Sequence, residues 1–339
     1  MKIVRGALYF IAFLNLLVLA GLAYWGYSNL RTGTKNNVVV GIPRGTSVRD
    51  VAALLEHNGA IRDRFFFEAY VRLSRKSSRL KAGEYEFSAG DNLQTVVDKL
   101  LRGDTKKYTF TLPEGHNVRE LCRALIPRGL NLITCLELIS DTGQIKEKPA
   151  GARTLEGYLF PETYTFDAFT TPETFISSMV DMFYKKIGPD REAKAKALGF
   201  TLHQLVTLAS VVEKETGRPD ERPMIAAVFL NRLKRGMPLQ SDPTVIYGID
   251  PFNGNLTKAD LQRDAPHNTY TRPGLPVGPI CSPGLAAIDS VLNPASTGAL
   301  YFVAKGDGSH YFSSSLEEHN RAVSHYQRGH DAPPSPAAP

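Results

Sequence analysis

The sequence predicts an α+β protein made of an N-terminal transmembrane helix, a small α+β module and a larger α+β domain. Three observations point there: an uncharged apolar run near the N-terminus, a strand–glycine turn–helix pattern that recurs three times, and amphipathic helices alternating with Gly/Pro-rich loops in the C-terminal two thirds. The 339 residues are 42% hydrophobic and 22% charged with 28 Gly and 22 Pro, which excludes a collagenous, coiled-coil or wholly disordered chain. The formal charge of +6 is spread along the chain, two of its Lys/Arg lying at Lys2 and Arg5. Nucleic-acid binding needs a clustered basic face, so no nucleic-acid partner is expected.

From Ala7 to Tyr27 the chain reads ALYFIAFLNLLVLAGLAYWGY, interrupted only by Asn15. About twenty such residues at ~1.5 Å each span a ~30 Å hydrocarbon core. Tyr24, Trp25 and Tyr27 sit where an interfacial belt would place them, and Lys2 and Arg5 favour a cytoplasmic N-terminus over residues 1–6. The expectation is a single-pass anchor at 7–27, with the rest of the chain outside the cytoplasm. A cleaved signal peptide, processed after Val18-Leu19-Ala20, is the alternative.

Residues 28–36 are polar and read as a linker. The first strand–turn–helix copy starts at Val38, turns at Pro43-Arg44-Gly45, and is capped by Thr46 or Ser47, with Val48, Val51, Ala52, Leu54 and Leu55 inside. The second starts at Tyr85, turns at Gly90, takes Asp91 as cap, and buries Val96, Val97, Leu100 and Leu101. The third starts at Tyr108, turns at Pro113-Glu114-Gly115, and is capped by Asn117 ahead of Val118, Leu121, Cys122 and Leu125. Irregular spacing argues against a solenoid and for a small module over 37–105, with the third copy leading into a domain over 106–330. Helices are expected there at 174–186, 191–198, 203–216, 220–235, 284–292 and 316–328, and strands at 300–304 and 311–312. The Pro-rich tail 331–339 should be disordered.

Cys122, Cys135 and Cys281 are too few for a disulfide scaffold, and no zinc-ligand spacing is present. A Cys122–Cys135 pair stays open in an oxidising compartment. The familiar catalytic fingerprints are missing: no G-x-G-x-x-G, no P-loop, no H-E-x-x-H and no G-x-S-x-G. What remains is a carboxylate. In TLHQLVTLASVVEKETGRP (201–219), Leu205, Leu208, Ala209 and Val212 mark a buried helix face, and Glu215 extends it. Glu213 is turned about 200° away at ~100° per residue. Partial burial and the negative helix end would both raise the Glu215 pKa, as a general acid on a glycosidic oxygen requires. Helix geometry by itself also allows these glutamates to be a solvated last turn.

Downstream, LQSDPTVIYG (239–248) carries Gln240, Asp242, Thr244 and Tyr247, and HNTYTRPGLPVGPICSPG (267–284) carries Asn268, Thr269 and Tyr270. Long loops with amide, hydroxyl and aromatic side chains suit a sugar site, although Asp242 before Pro243 also suits a turn and the tyrosines a core.

VEKET (212–216), FLNRL (229–233), LQSDPTVIYG (239–248), NTY (268–270), GLPVGPI (274–280), YFVA (301–304) and EEHNRAV (317–323) together resemble the endolytic murein transglycosylase (YceG-like) family. The resemblance covers nearly the whole chain, and it implies a membrane-anchored lyase with a LysM-like module at 37–105. Such an enzyme cuts peptidoglycan within the strand, between N-acetylmuramic acid and N-acetylglucosamine, leaving 1,6-anhydro ends and ending strand elongation. It implies no cofactor and no metal. The partners it implies are peptidoglycan strands, the membrane and, as a candidate, the wall-synthesis machinery. Its catalytic glutamate maps to Glu215, because Glu215-Thr216 is similar to the Glu-Ser pair of other lytic transglycosylases; Glu213 is the alternative. Gln240, Asp242, Thr244, Tyr247, Asn268, Thr269 and Tyr270 are the candidates for holding the sugar. Two competing readings remain: a muramidase-type hydrolase pairing Glu215 with Asp242, and a non-catalytic wall-binding scaffold.

Overall fold

In the computed structural model, which describes residues 2–31, 33–128, 130–146, 149 and 152–328, the apolar N-terminal run is one helix, α1 (Lys2–Arg31). The helix runs on through Arg31, so the expected linker is helical over 28–31. Nothing in the turn chemistry of Ser28-Asn29-Leu30 stops it. Phe10–Arg31 is long and apolar enough to cross a membrane, as an anchor or a signal sequence would be. Its apolar side chains are exposed from Phe10 to Leu22, a surface that water disfavours and lipid does not. Asn15, the one polar interruption, donates to the Ile11 carbonyl of its own helix at 3.0 Å.

All three strand–turn–helix copies form: β1 (Val38–Ile42) with α2 (Val48–His57), then, after α3 (Arg64–Leu73), β2 (Gly83–Phe87) with α4 (Leu93–Arg102), and β3 (Tyr108–Thr111) with α5 (Val118–Leu125). Gly45, Gly90 and Gly115 take φ of 80°, 96° and 76° at the three turns, where a Cβ would strain the backbone. Strands β1 and β2 pair antiparallel with Val38 opposite Phe87 and Val40 opposite Tyr85. Val40, Ile42, Tyr85 and Phe87 therefore face a common core with Leu55, Phe67, Val96 and Leu100. Two details differ from expectation. Asn92, not Asp91, caps α4 by accepting from Thr95 N, because Asp91 is held in the turn by Ser88 N (2.8 Å) and Lys99 (2.6 Å). Helix α3 was hidden by its Phe65-Phe66-Phe67 run, which blurs the period that Phe67 and Val71 mark by their burial.

The rest comprises α6 (Leu132–Ser140), β4 (Thr163–Phe166), α7 (Pro172–Ala197), α8 (Leu202–Glu215), α9 (Arg222–Lys234), α10 (Asp242–Ile246), α11 (Lys258–Gln262), α12 (Leu285–Leu292), β5 (Tyr301–Ala304), β6 (His310–Ser313) and α13 (Leu316–Arg328). The helices expected at 174–186 and 191–198 are the two arms of α7, broken at Gly188 (φ 64°, ψ 169°) before Pro189. α6 and β4 had no sequence expectation. A Cys122–Cys135 disulfide joins α5 to α6, and Cys281 is free and buried. The tail expected to be disordered lies outside the described residues.

Among the described residues the strands form three separate two-stranded sheets, β1–β2, β3–β4 and β5–β6, so the α+β class holds. The chain divides into two units: residues up to Thr109 with Thr165–Thr170, and Phe110–Tyr164 with the residues from Thr171 onward. The second unit is built around α8. That helix is buried on every side from Leu205 to Val212 and packs against α7, α9 and α12. Sheet β5–β6 carries a small core of its own, Val303, Tyr311 and Ala322, beneath α13.

Candidate active site

Helix α8 starts on a reciprocal capping box: Thr201 Oγ1 accepts from Gln204 N, and Gln204 Oε1 accepts from Thr201 N. It ends at Glu215, where the chain leaves the core. The predicted stripe of Leu205, Leu208, Ala209 and Val212 is buried, but so are Val206, Thr207, Ser210 and Val211. Helix faces alone therefore do not separate Glu213 from Glu215. Their partners do.

Glu213 accepts from Arg222 Nη2 at 2.9 Å and from Gly284 N at 3.1 Å, the residue that caps α12. The two side chains are only 5% and 10% exposed. Burial pushes this carboxyl up, opposed by the Gly284 amide and the Arg222 charge. Glu213 thus ties α8, α9 and the start of α12 together.

Glu215 opens onto a cavity of about 470 Å³. Burial raises its pKa to about 7, and Asp242 adds to the rise. A hydrogen bond from Ser241 and the Arg232 charge act the other way. Ser241 Oγ donates to Glu215 Oε1 at 2.5 Å, a charge-assisted geometry that fixes one carboxyl oxygen.

A closed ring of hydrogen bonds behind the site holds Ser241. Its N–H donates to Thr269 Oγ1 (3.0 Å), and its carbonyl accepts from Thr244 Oγ1 (2.6 Å). With the Thr244 proton so used, the 2.9 Å contact between the two threonines runs from Thr269 to Thr244. Gln240, whose N–H donates to the Thr269 carbonyl at 3.1 Å, sits at φ 50°, a left-handed conformation uncommon outside glycine. That turn aims the next residue, Ser241, at Glu215.

The structure sorts the other candidates by position. Gln240, Asp242 and Tyr270 line the Glu215 cavity, and the Tyr270 hydroxyl donates to Asp242 Oδ1 at 2.5 Å. Thr244, Asn268 and Thr269 are at most 1% exposed. Asn268 donates to the carbonyls of Leu261 and Arg263 and accepts from Tyr270 N, so it braces the loop. Tyr247 lies on a different cavity, of about 510 Å³, and donates to Glu156 Oε2 at 3.0 Å.

Three residues escaped the sequence analysis. Ser241 stood inside a quoted motif, but only its contact with Glu215 distinguishes it from any loop serine. Arg232 is buried, donates to the carbonyls of Leu300 (2.6 Å) and Leu239 (2.7 Å), and covers the Tyr301 ring at 5.2 Å. Glu156 is a further buried carboxyl, raised by burial to about 7. No spacing signal marked it, because its partners Val118 and Tyr247 lie far away in sequence.

A model of the YceG-like family matches residues 40–325. The endolytic murein transglycosylase of Bacillus subtilis (strain 168) is 33% identical over 330 residues, covering 91% of each chain. The endolytic murein transglycosylase of Streptococcus pneumoniae serotype 2 is 32% identical over 94% of this chain and 64% of its own length. A crystal structure of a yceG-like protein from Listeria monocytogenes superposes with a TM-score of 0.59 at 33% identity, covering 84% of this chain and 98% of that one.

Proposed function

The chain belongs to the YceG-like family, and from that premise we propose that it is an endolytic lytic transglycosylase of peptidoglycan with Glu215 as its acid and base. The observation that carries this reading is a carboxyl held at one oxygen by Ser241 and open to a cavity, with burial raising its pKa to about 7. Near pH 7 such a group is present in both protonation states, which suits a residue that gives a proton and then takes one back. Glu215 protonates the glycosidic oxygen between N-acetylmuramic acid and N-acetylglucosamine. As a carboxylate it then accepts the proton of the muramic 6-hydroxyl while that oxygen closes on C1. The bond to the leaving sugar breaks, the 1,6-anhydro bond forms, and no water is consumed. Asp242, fixed by Tyr270, places a negative charge near the reacting centre, where oxocarbenium character develops. Gln240 and Tyr270 offer amide and aromatic contacts to the sugar, while Thr244, Thr269 and Asn268 hold the loop that presents Ser241.

The apolar α1 suits a single-pass anchor in the plasma membrane, and the Cys122–Cys135 disulfide suits an oxidising compartment for the folded body. The strand–helix module over 37–105 is read as a LysM-like glycan-positioning part beside the catalytic one, with wall-synthesis proteins as candidate partners.

The test is mass spectrometry of glycan ends after digestion of isolated sacculi in ¹⁸O-labelled water. Unlabelled 1,6-anhydro ends are expected. Labelled reducing ends would instead make the protein a muramidase pairing Glu215 with Asp242. Full wall function in cells carrying Glu215→Gln would make it a scaffold.

A further inference from the structure

The Glu215 cavity continues along strand β5: Tyr301, Phe302, Val303 and Ala304 all line it. Side chains alternate across a strand, so four consecutive lining residues mean that the backbone edge itself borders the space. The sheet contains only β5 and β6, which leaves β5 with one unpaired edge. Register shows which groups lie on it. Ala304 pairs opposite His310 and Val303 opposite Tyr311, and Lys305 N donates to the Ser309 carbonyl at 2.8 Å. Antiparallel hydrogen bonding alternates, so Val303 and Tyr301 bond inward to β6, whereas Phe302 and Ala304 point their N–H and C=O outward. The alternation starts at Tyr301: Leu300 just before the strand donates its N–H to the Ser313 carbonyl at 2.9 Å, and its own carbonyl accepts from Arg232, a residue of the same cavity. Among the described residues no hydrogen bond reaches the outward N–H and C=O of Phe302 and Ala304. The same cavity is lined by Leu316 and Val323 of α13, the latter packed against the Val303–Tyr311 core, and by His319, whose Nδ1 is buried without a hydrogen-bond partner while its ring stacks on Tyr301 at 5.2 Å.

We propose that the free edge of β5 binds the peptide stem of the murein strand, pairing its amides with Phe302 and Ala304 while the attached muramic sugar lies at Glu215. The inference rests on the transglycosylase reading of that cavity and names its substrate as peptide-bearing rather than bare glycan. Two features single out this occupant. The edge is continuous with the catalytic cavity, and the muramic sugar carries its peptide beside the bond to be cut. The exposed ladder is four residues long, about 13 Å, which suits a short stem. Hydrogen bonds to a backbone edge read amides and not side chains, so stems of differing composition are accepted.

Two measurements on the full chain in detergent test this. The first compares turnover on peptide-bearing strands with turnover on strands stripped of peptide by an amidase. A preference of about tenfold is expected, the size that two ordinary hydrogen bonds supply. In Ala304→Pro that ratio should fall to about threefold, because proline removes one outward N–H, a donor that the β5–β6 ladder does not use. Equal wild-type turnover on both substrates, or an unchanged ratio in Ala304→Pro, overturns the proposal. The second titrates isolated muramyl peptide into the Glu215→Gln protein and follows the backbone amides by NMR. Shifts centred on Phe302 and Ala304 support it, and shifts confined elsewhere overturn it. Because this readout needs no cleavage, peptide binding here together with wild-type protein that yields no 1,6-anhydro ends would refute the transglycosylase reading while leaving the peptide site standing. A concentration-dependent dimer that Ala304→Pro abolishes would assign the edge to a second copy of the chain and overturn the proposal.

Discussion

Ser241 and Glu215, 26 residues apart, meet through a 2.5 Å hydrogen bond from the serine hydroxyl to one carboxyl oxygen. The contact joins the end of the most buried helix to a loop that a ring of threonine hydrogen bonds makes rigid. It leaves the other carboxyl oxygen to the cavity.

Glu215→Gln should lower turnover on sacculi by about 10²–10⁴ while the fold persists, since Gln keeps the size but cannot cycle a proton. Stability should shift in a defined direction. A carboxyl whose folded pKa is about 7, above its model value of 4.5, binds more protons folded than unfolded between those values. The wild type therefore loses stability as pH rises through that window, by up to about 3 kcal/mol. Denaturant melts at pH 4 and pH 8 should show that Glu215→Gln lacks this loss. An equal decline in both proteins would contradict the burial argument.

Ser241→Ala removes an interaction that holds the Glu215 pKa down, so that pKa should rise further. The acid form is needed first, hence activity falls as pH climbs through the pKa, and this alkaline limb should move to higher pH. Turnover should drop by about tenfold, the worth of one charge-assisted hydrogen bond. A pH–rate profile that drops in amplitude without moving would assign Ser241 a purely steric role.

Glu213→Gln should act on stability instead of chemistry. It strips the counter-charge from Arg222 at a site where both side chains are nearly closed to water, and breaking one side of such a pair costs about 3–5 kcal/mol. Replacing Arg222 by Met as well should recover a good part of that loss. Urea unfolding of the two single variants and the double variant measures this coupling. Turnover of the folded fraction should stay close to wild type; loss of turnover in Glu213→Gln with retained activity in Glu215→Gln would reverse the assignment.

The full chain should remain with membranes after carbonate extraction and keep its own N-terminus, because Phe10–Arg31 exposes an apolar surface that only lipid covers well. A released protein beginning near Gly21 would identify the helix as a signal sequence.

Deleting residues 37–105 should reduce activity on sacculi far more than on short soluble glycans if that module positions the strand. Equal loss on both substrates would assign it a folding role.

The local elements could be read from sequence because their causes are local. Ser47 and Asn117 cap their helices, glycines at 45, 90 and 115 supply the positive φ, and a Gly-Pro pair breaks α7 between the two helices expected there. Glu215 was legible as an acid at the end of an apolar helix, and the loop motifs were legible as its neighbours. Tertiary structure decided the remainder. Helix α8 is buried all round, so periodicity does not separate Glu213 from Glu215; in the packed chain the first pairs with Arg222 and the second accepts from Ser241. Thr244 and Thr269 turned inward and Tyr247 went to another cavity with Glu156, because burial and hydrogen bonding are properties of the packed chain. Sequence period reports which side of an element is apolar. Which carboxyl faces a partner, and which faces open space, depends on residues brought together from 26 or 91 positions away.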